Sequence, residues 1–504
     1  MTPFTRSSSE TALFVTLLLM LSFALGVVGA FYPMLLPGVA ALAALALVIC
    51  FILLGPTRAL EYSFFLLLLA STKFRNRDPY LTVSGSIDAQ IAFELLCYAF
   101  IGTVVVVNLF DGVPGRRKAT GCEVLLFLYA LFAFSSAGWS VHPSLTAVRG
   151  AQQLVLFLFL STAVRKLGPE KTVWIASSTL VVSVVLFATM ASIFPWANGT
   201  KSGYLGYARF TWFGVHPITA ANECAAALVM VVAAGLFGEG SWQRRLAGLP
   251  LWAYILPLIY FLLATGTRAS LAAALTTAGG LVAVRHIKRD AFSGPMFTRS
   301  ARRMLVAAAF IVPALVAVHV LHIGLHEILY RNDSQADLSQ LNGRTDLWPA
   351  VLRLIAQKPL FGWGFWGTAQ LLLAILPWAG ETHDALLQSL LDVGMVGSIL
   401  LWVPVFFTLF GRITSCAQSS GGRSAWYVIA VKAMLVLVLI EGITDEVFVS
   451  FVGFDAVLTY ACIFAYQFLK SESATDAEAS FRSVAPFAKK ERRVRLAGPT
   501  AVAG

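Results

Sequence analysis

A histidine flanked by carboxylates is the clearest candidate for acid–base chemistry in this sequence. His383 follows Glu381 and precedes Asp384, in a segment that leads into a long apolar run. An imidazole titrates near neutral pH, so it can take the proton of an attacking hydroxyl group. The carboxylate of Asp384, directly after His383, could raise the pKa of the histidine. The same pattern also fits a histidine that caps a helix or lies at an interface, and the residues alone leave the two interpretations equal.

Three arginines are suited to binding an anion, because a guanidinium group donates paired hydrogen bonds to phosphate oxygens. Arg268 lies in the small, polar stretch TGTRAS, Arg344 opens a helical pattern, and Arg209 stands among aromatic residues. Each has an ordinary alternative. Arg268 could anchor a helix end in the lipid headgroups, and Arg209 could make cation–π contacts. Arg344 could be a surface residue, although the helix dipole disfavours a cation at a helix start.

Two further carboxylates stand in an apolar run, where ionisable residues are functional candidates because charge is costly there. Glu441 and Asp445 are four residues apart and share one helix face. With Asp384, they are the candidates for a carboxylate that orients His383. They could equally neutralise Lys432.

A metal site is not predicted. His319, His322 and His326 fall on one helical stripe followed by Glu327, but this order differs from the HExxH zinc motif. The sequence has no CxxC pair, no acidic DxD pair, and no Walker A or GxGxxG fingerprint in a βαβ context. We therefore expect chemistry that needs neither a metal nor a cofactor.

The elements that must position these residues are membrane helices. The chain has 504 residues, of which 58% are hydrophobic and only 12% charged, with a mean hydropathy of +0.77. Soluble domains are about 25% charged. The apolar runs approach the length that an α-helix needs to cross a bilayer. The composition excludes a soluble fold and predicts an all-α polytopic membrane protein with about 12–14 transmembrane helices.

The candidate spans are 11–30, 33–54, 58–72, 90–110, 123–138, 150–165, 172–194, 216–238, 250–265, 269–285, 304–322, 388–411, 425–445 and 450–469. The first is interpreted as a retained helix, since no clear signal cleavage site follows it. With a cytoplasmic N-terminus, most of the 37 lysines and arginines fall on the cytoplasmic side. Both termini are then cytoplasmic, and the polar tail 471–504 is expected to be disordered.

The net charge of +11 therefore reports topology and not nucleic-acid binding, since the basic residues do not form an aromatic-interleaved face. The longest polar interruption is the outside loop 323–387. In it, Thr345 to Lys358 has the pattern of an amphipathic helix, and Thr368 to Trp378 is apolar but too short to span.

The loop sequence GRTDLWPAVLRLIAQKPLFGWGFW and the later THDALLQSLLDVGMVGSILL resemble the O-antigen ligase and polymerase superfamily of bacterial envelope enzymes. In that superfamily a GRxxxW stretch, a P-x-x-G-x-G turn and a His-led helix start surround a large periplasmic loop. The GFW is most similar to exopolysaccharide repeat-unit polymerases. The resemblance covers about 205–410. The chain departs from many relatives at Asp384 and His216, where they have asparagine.

This resemblance implies a GT-C-like glycosyltransferase of the bacterial inner membrane. Its donor would be an undecaprenyl-pyrophosphate-linked glycan and its acceptor a sugar hydroxyl at the periplasmic face. It implies that His383 is the catalytic base, that Arg268 and Arg344 bind the pyrophosphate, and that Arg209 is a third candidate. The implied division is 1–204 for N-terminal helices, 205–410 for the catalytic core and 411–470 for C-terminal helices.

Three alternatives differ in acceptor or class. A repeat-unit polymerase for exopolysaccharide or O-antigen uses a second lipid-linked glycan as acceptor. An O-antigen ligase of lipopolysaccharide biosynthesis uses the lipid A core. A polysaccharide flippase or other transporter predicts matching broken helices in two repeats, and the sequence shows no such halves. Export or chain-length proteins are the expected partners besides the substrates and the bilayer.

Overall fold

A computed structural model of the chain describes residues 55–72, 89–110, 119–194, 198–199, 201–202, 208–213, 215–238, 245–290, 344–376, 379–411, 425–449 and 453–471. The predicted spans 11–30, 33–54 and 304–322, the tail beyond residue 471 and the three-histidine stripe lie outside these residues.

Helices make up almost all of the described structure. They are α1 (Pro56–Ser71), α2 (Ala89–Phe110), α3 (Gly121–Ser135), α4 (Pro143–Leu167), α5 (Pro169–Ile193), α6 (Pro217–Phe237), α7 (Trp252–Ala264), α8 (Arg268–Asp290), α9 (Arg344–Gln357), α10 (Ala369–Ile375), α11 (Ala385–Phe410) and α12 (Ala425–Glu441). A last helix, α13, covers 454–471. Short 3₁₀ turns follow α3 and α12. Every predicted span within the described residues corresponds to a helix, which confirms the all-α architecture.

Two antiparallel ribbons of two residues per strand are the other regular elements of the described chain. Strand β1 (Lys201–Ser202) pairs with β2 (Ala208–Arg209), so Arg209 lies opposite Lys201. Strand β3 (Arg245–Leu246) pairs with β4 (Leu249–Pro250). Of these four strands, only β2 contributes a candidate site residue. Its pairing with β1 fixes the backbone that carries Arg209.

Local sequence explains where several helices begin and end. Thr120 caps α3, because its hydroxyl accepts from the Glu123 N–H (3.2 Å) while the Glu123 carboxylate accepts from the Thr120 N–H (2.7 Å). Gly168 ends α4 with a φ of 87°, a conformation that suits glycine. Pro169 follows at once as the first residue of α5, where its missing N–H costs nothing. The α4–α5 corner is therefore tight.

Six of the described helical segments are long and apolar enough to cross a membrane. They are 91–110, 121–138, α4, α5, α6 and α11. The alanine-rich α6 is the most buried of them and packs against α5, α7, α8 and α12. Large apolar side chains such as Leu256, Phe407 and Phe410 remain exposed on outer helix faces. Lipid is the medium that would cover such side chains, so these faces agree with a polytopic membrane protein.

The outside loop builds a small core of its own. Helix α9 matches the predicted amphipathic helix 345–358 to within one residue, and the short apolar stretch forms α10. The buried residues of this second core come from α9, α10, the segment that follows α10, and α11. They are Leu347, Val351, Leu372, Ala379 and Leu391. The loop is thus held to the membrane helices through the first turns of α11.

Helix α11 is broken at Gly394, where φ is 64° and ψ is −169°. The break leaves backbone groups without helical partners, and the loop supplies them. Trp363 N donates to Leu391 O (2.9 Å), and Met395 N donates to Pro359 O (2.8 Å). Buried backbone groups need such partners. The loop and the break are therefore one structural unit.

Glycine is required on both sides of this contact. Gly362 has a φ of 65°, and a Cβ there would overlap the backbone of Asp392. A Cβ on Gly394 would overlap the backbone of Leu360. Both residues also adopt a left-handed conformation that side chains disfavour. This packing gives the P-x-x-G-x-G turn of the sequence its physical reason.

Candidate active site

The backbone of His383 is held in a left-handed conformation, with φ of 54°. A residue other than glycine adopts this conformation only when its surroundings enforce it. The preceding Thr382 is fixed from two sides. Its carbonyl accepts from Trp348 Nε1 of α9 (3.2 Å), and its N–H donates to Gln388 Oε1 of α11 (3.0 Å). The fold therefore sets the position of the histidine tightly.

Gln388 links this turn to a buried carboxylate. Its Nε2 donates to Asp392 Oδ2 (3.1 Å) and to Thr368 Oγ1 (3.3 Å), and Thr368 Oγ1 donates to Asp392 Oδ1 (2.6 Å). All three side chains are buried. Gln388, Thr368 and Asp392 were not among the residues predicted from the sequence. A glutamine and an aspartate one turn apart in an apolar run were the signal that could have found them.

Asp384, a predicted orienting carboxylate, caps α11. Its Oδ1 accepts from Leu387 N (2.7 Å), the arrangement of a helix N-cap. The next N–H, of Ala385, donates to Gly442 O just beyond α12 (2.8 Å). This bond brings the end of α12, with its acidic residues, to the histidine turn.

Glu381, His383 and Asp445 converge. One ligating atom from each lies within 4.8 Å of the others. Burial lowers the pKa of His383 below its ordinary value of 6.5, Glu381 acts in the opposite direction, and Arg344 adds to the lowering. A lowered pKa keeps the imidazole neutral at neutral pH, so it is ready to accept a proton. In the sequence, Glu381 stood out only as a neighbour of the histidine.

Arg344 belongs to the same cluster. It is the first residue of α9 and interacts electrostatically with Asp445, Asp384 and His383. Burial lowers the pKa of Arg344, and the two aspartates oppose that effect. An arginine side chain nevertheless remains charged in proteins. The site therefore combines an imidazole of lowered pKa with a charged guanidinium group.

Arg268 and Arg209 meet at a second place, the turn between α7 and α8. Arg268 is the first residue of α8. Arg209 Nε donates to Thr265 O (3.1 Å), and its Nη2 donates to Thr267 Oγ1 (2.5 Å). Arg209 is thus hydrogen-bonded to the turn from which Arg268 starts α8.

A chain of buried polar side chains connects the first turn of α8 to Asp445. Ser270 Oγ of α8 donates to Asn222 Oδ1 of α6 (2.6 Å), and Asn222 Nδ2 donates to Asp445 Oδ2 (2.7 Å). Asp445 in turn faces His383. Asn222 and Ser270 were missed in the sequence, where the pair Asn222–Glu223 inside a predicted span was the available signal.

The middle of the chain, which carries most of these residues, is similar to a known protein family. Residues 252–402 match the family model described as O-antigen ligase. The match confirms the resemblance to the O-antigen ligase and polymerase superfamily. A search of curated proteins finds no match to the chain. The O-antigen ligase region contains Arg268, Arg344 and His383, whereas Arg209 and Asp445 lie outside it.

The other candidate carboxylate, Glu441, is not brought to the histidine. It is 1% exposed and interacts electrostatically with Asp455 and Asp445. Lys432, which the sequence offered as its counter-ion, donates instead to Gly411 O (2.6 Å). Glu441 is therefore buried more completely than Asp445, which is 9% exposed.

His216, the other departure from the O-antigen ligase pattern, serves as a helix cap. Its Nδ1 accepts from Ile218 N at the start of α6 (3.4 Å). Asparagine is a favoured residue for the same capping position. The substitution thus preserves the local structure that leads to Asn222.

Within the described residues, Glu381, His383 and Asp445 are the group that could hold a metal ion. These ligand types suit a divalent cation. The guanidinium of Arg344 already supplies positive charge to Asp445. The cluster therefore has a built-in counter-ion.

Proposed function

We propose that this chain transfers glycans from a polyprenyl-pyrophosphate donor to a sugar hydroxyl at the periplasmic face of the bacterial inner membrane. The O-antigen ligase match indicates a membrane glycosyltransferase of the ligase and polymerase type. The observation that carries the finer proposal is the joint position of a half-buried His383, whose pKa is lowered, and the charged Arg344. Base and anion-binding cation are the two groups that this reaction needs.

In the proposed step, the acceptor oxygen attacks the anomeric carbon while the bond to the pyrophosphate oxygen breaks. His383 takes the acceptor proton, and the electron pair of the broken bond remains on the pyrophosphate. An in-line attack of this kind inverts the anomeric configuration. The step balances without a metal, since protein cations receive the developing charge.

Arg344 and Arg268 are proposed to bind the pyrophosphate from two sides. Arg344 belongs to the histidine cluster, and Arg268 starts α8 beside Arg209. The N-terminus of α8 adds a favourable dipole for an anion. Asp445 is the proposed orienting carboxylate, supported by its convergence with His383. Glu381, in the same group, would assist.

The catalytic unit would then extend beyond the sequence-predicted core 205–410. Asp445 follows α12, in the region predicted as C-terminal helices. The bond from Ala385 N to Gly442 O joins that region to the histidine turn. We propose that the C-terminal helices are part of the catalytic core, and that both termini are cytoplasmic.

Within the superfamily, we propose a repeat-unit polymerase of exopolysaccharide or O-antigen synthesis, on the GFW resemblance. A ligase that transfers polymer to the lipid A core has the same donor chemistry. The two functions differ only in acceptor. A chain-length or export protein would be the natural partner of the polymerase.

The test compares surface polysaccharide in cells that carry wild type, His383→Ala or Arg344→Ala at equal protein abundance. Each variant should lower polymer formation by about a hundredfold or more. Loss of long polymer with accumulation of lipid-linked repeat units supports a polymerase. Polymer that forms but is not joined to the lipid A core supports a ligase. Unchanged polysaccharide in both variants would refute the catalytic assignment and favour a transporter.

A further inference from the structure

Three buried polar side chains form a hydrogen-bonded path from the first turn of α8, which begins with Arg268, to the carboxylate beside His383. Ser270, Asn222 and Asp445 are 1%, 3% and 9% exposed. Their hydrogen bonds measure 2.6 and 2.7 Å and connect α8, α6 and the turn after α12. Three separate elements of the bundle are thus tied at one point.

The chemistry of the groups fixes how Asn222 is oriented. A carboxylate only accepts hydrogen bonds, so the amide nitrogen must face Asp445. The amide oxygen then faces Ser270, whose hydroxyl can donate. Both ends of the amide are used, and reversing it would break both bonds. The path therefore has a defined direction from α8 to the carboxylate.

Apolar packing would join these helices at lower cost. Next to Asn222, helix α6 has Ala220, Ala221 and Ala225, together with the buried Glu223. Burying an amide costs several kcal/mol unless it is fully hydrogen-bonded. The residues that the path connects are those of the proposed reaction: Ser270 lies two positions after Arg268, and Asp445 faces His383.

We propose that Asn222 is a positioning residue for the reaction. It holds the Asp445 carboxylate towards His383 and, through Ser270, fixes that carboxylate relative to the start of α8 that carries Arg268. This inference rests on the proposed function. Asn222 acts through Asp445 and does not touch the reacting atoms.

Charged and titratable groups face Asp445 from several elements. They are Glu381 and His383 before α11, Arg344 at the start of α9, Glu441 at the end of α12 and Asp455 at the start of α13. Carboxylates outnumber cations here. Arg344 and the Asn222 amide are therefore the groups that stabilise a charged Asp445.

The variant Asn222→Asp makes this role of the amide measurable. It replaces the amide by a carboxyl group of the same shape that faces a second carboxyl group. Two such groups at hydrogen-bond distance must share a proton, as like charges repel. At low pH the shared proton mimics the amide hydrogen bond. As the pH rises the proton is lost, and Asp445 is pushed from its position.

The experiment uses full-length protein in lipid nanodiscs and lipid-linked repeat units extracted from cells that lack the gene. Rates are measured between about pH 5.5 and 8.5, where histidine and paired carboxylates titrate. The ratio of the Asn222→Asp rate to the wild-type rate should fall by about tenfold across this range as the shared proton is lost. A ratio that is constant with pH would overturn the inference, because a general structural defect has no reason to titrate.

Two controls separate the possible failures. If wild type does not extend the lipid-linked units, the proposed function fails, and if His383→Ala retains the wild-type rate, His383 is not the base. If His383→Ala is inactive and the Asn222→Asp ratio is constant, only the role of Asn222 fails. Where Asn222→Asp does not fold, Ser270→Ala replaces it: kcat should fall severalfold with KM for the donor unchanged. An unchanged kcat in Ser270→Ala would then overturn the inference.

Discussion

The two parts of α11, on either side of the break at Gly394, differ in the side chains that they bury and expose. Before the break, Gln388, Ser389 and Asp392 are buried, and all three form polar hydrogen bonds. After it, Ile399, Phe407 and Phe410 are exposed apolar side chains on the outside of the bundle. A hydropathy pattern treats the whole run as one span. The structure places buried polar side chains of the first part at the site, whereas one face of the second part is exposed on the outside of the bundle.

The break in the helix backbone explains this difference. A continuous helix would satisfy its own backbone and would need no loop. The break opens backbone groups at Leu391 and Met395, and the loop from Pro359 to Gly364 bonds to them. The first part of α11 is thereby hydrogen-bonded to a loop segment that precedes His383, the proposed catalytic base. Substitutions in the two parts should therefore have different consequences.

A substitution at Gly394, between the two parts, should have the largest effect on stability and activity. Gly394→Ala forces a side chain into a left-handed backbone and against the loop backbone, which should cost about 3 kcal/mol of stability and abolish activity. Gly235→Ala in α6 is the matched control, because a Cβ there meets nothing within 4 Å. Thermal unfolding in nanodiscs and polymer formation measure both quantities. Equal behaviour of the two variants would show that the break is dispensable.

The next effect should come from the polar network before the break. Gln388→Leu removes the acceptor that fixes Thr382 N beside the base, so activity should fall by about tenfold to a hundredfold with folded protein retained. Gln467→Leu makes the same change at a buried glutamine whose Nε2 donates to Thr408, in the second part of α11 (2.9 Å). It should leave kcat within about twofold of wild type. If both variants lose activity alike, the contrast between the two parts is wrong.

The smallest effect is a shift in pH dependence. Activity should fall as the pH drops through the lowered pKa of His383, hence below 6.5, because protonation removes the base. Glu381 raises that pKa, so Glu381→Gln should move the acid limb to lower pH by a few tenths of a unit. Asp346→Asn changes an exposed carboxylate in the first turn of α9 and should not move the limb. A shift to higher pH in Glu381→Gln would contradict the electrostatic arrangement.

The helices and the residue types of the site could be predicted from the sequence. The amphipathic pattern from Thr345 predicted α9 almost to the residue, because its spacing reflects a local helix period. His383 and Arg344 were predicted from motif and family, and the structure brings them together with Asp445. The aspartate before an apolar run also fits the N-cap role that Asp384 has in the structure.

Long-range features could not be predicted in this way. The glycine in LLDVGMVGSILL gives no local sign of a break, since its left-handed φ depends on a loop some thirty residues earlier in the chain. Asn222 is likewise a single polar residue in an apolar run until Ser270 and Asp445 are seen around it. The break at Gly394 and the role of Asn222 depend on distant contact partners, which the residue types do not reveal.

The small core of the outside loop has a consequence for the biogenesis of the protein. Four of its five buried residues precede α11 in the chain, and the fifth, Leu391, belongs to α11 itself. During synthesis, the loop core therefore lacks its last member until α11 has emerged and been inserted. Gly442, which bonds to Ala385, follows later still. The histidine turn is consequently completed only after α12 has been synthesised, so a nascent chain that stalls before that point lacks the bond between Ala385 and Gly442.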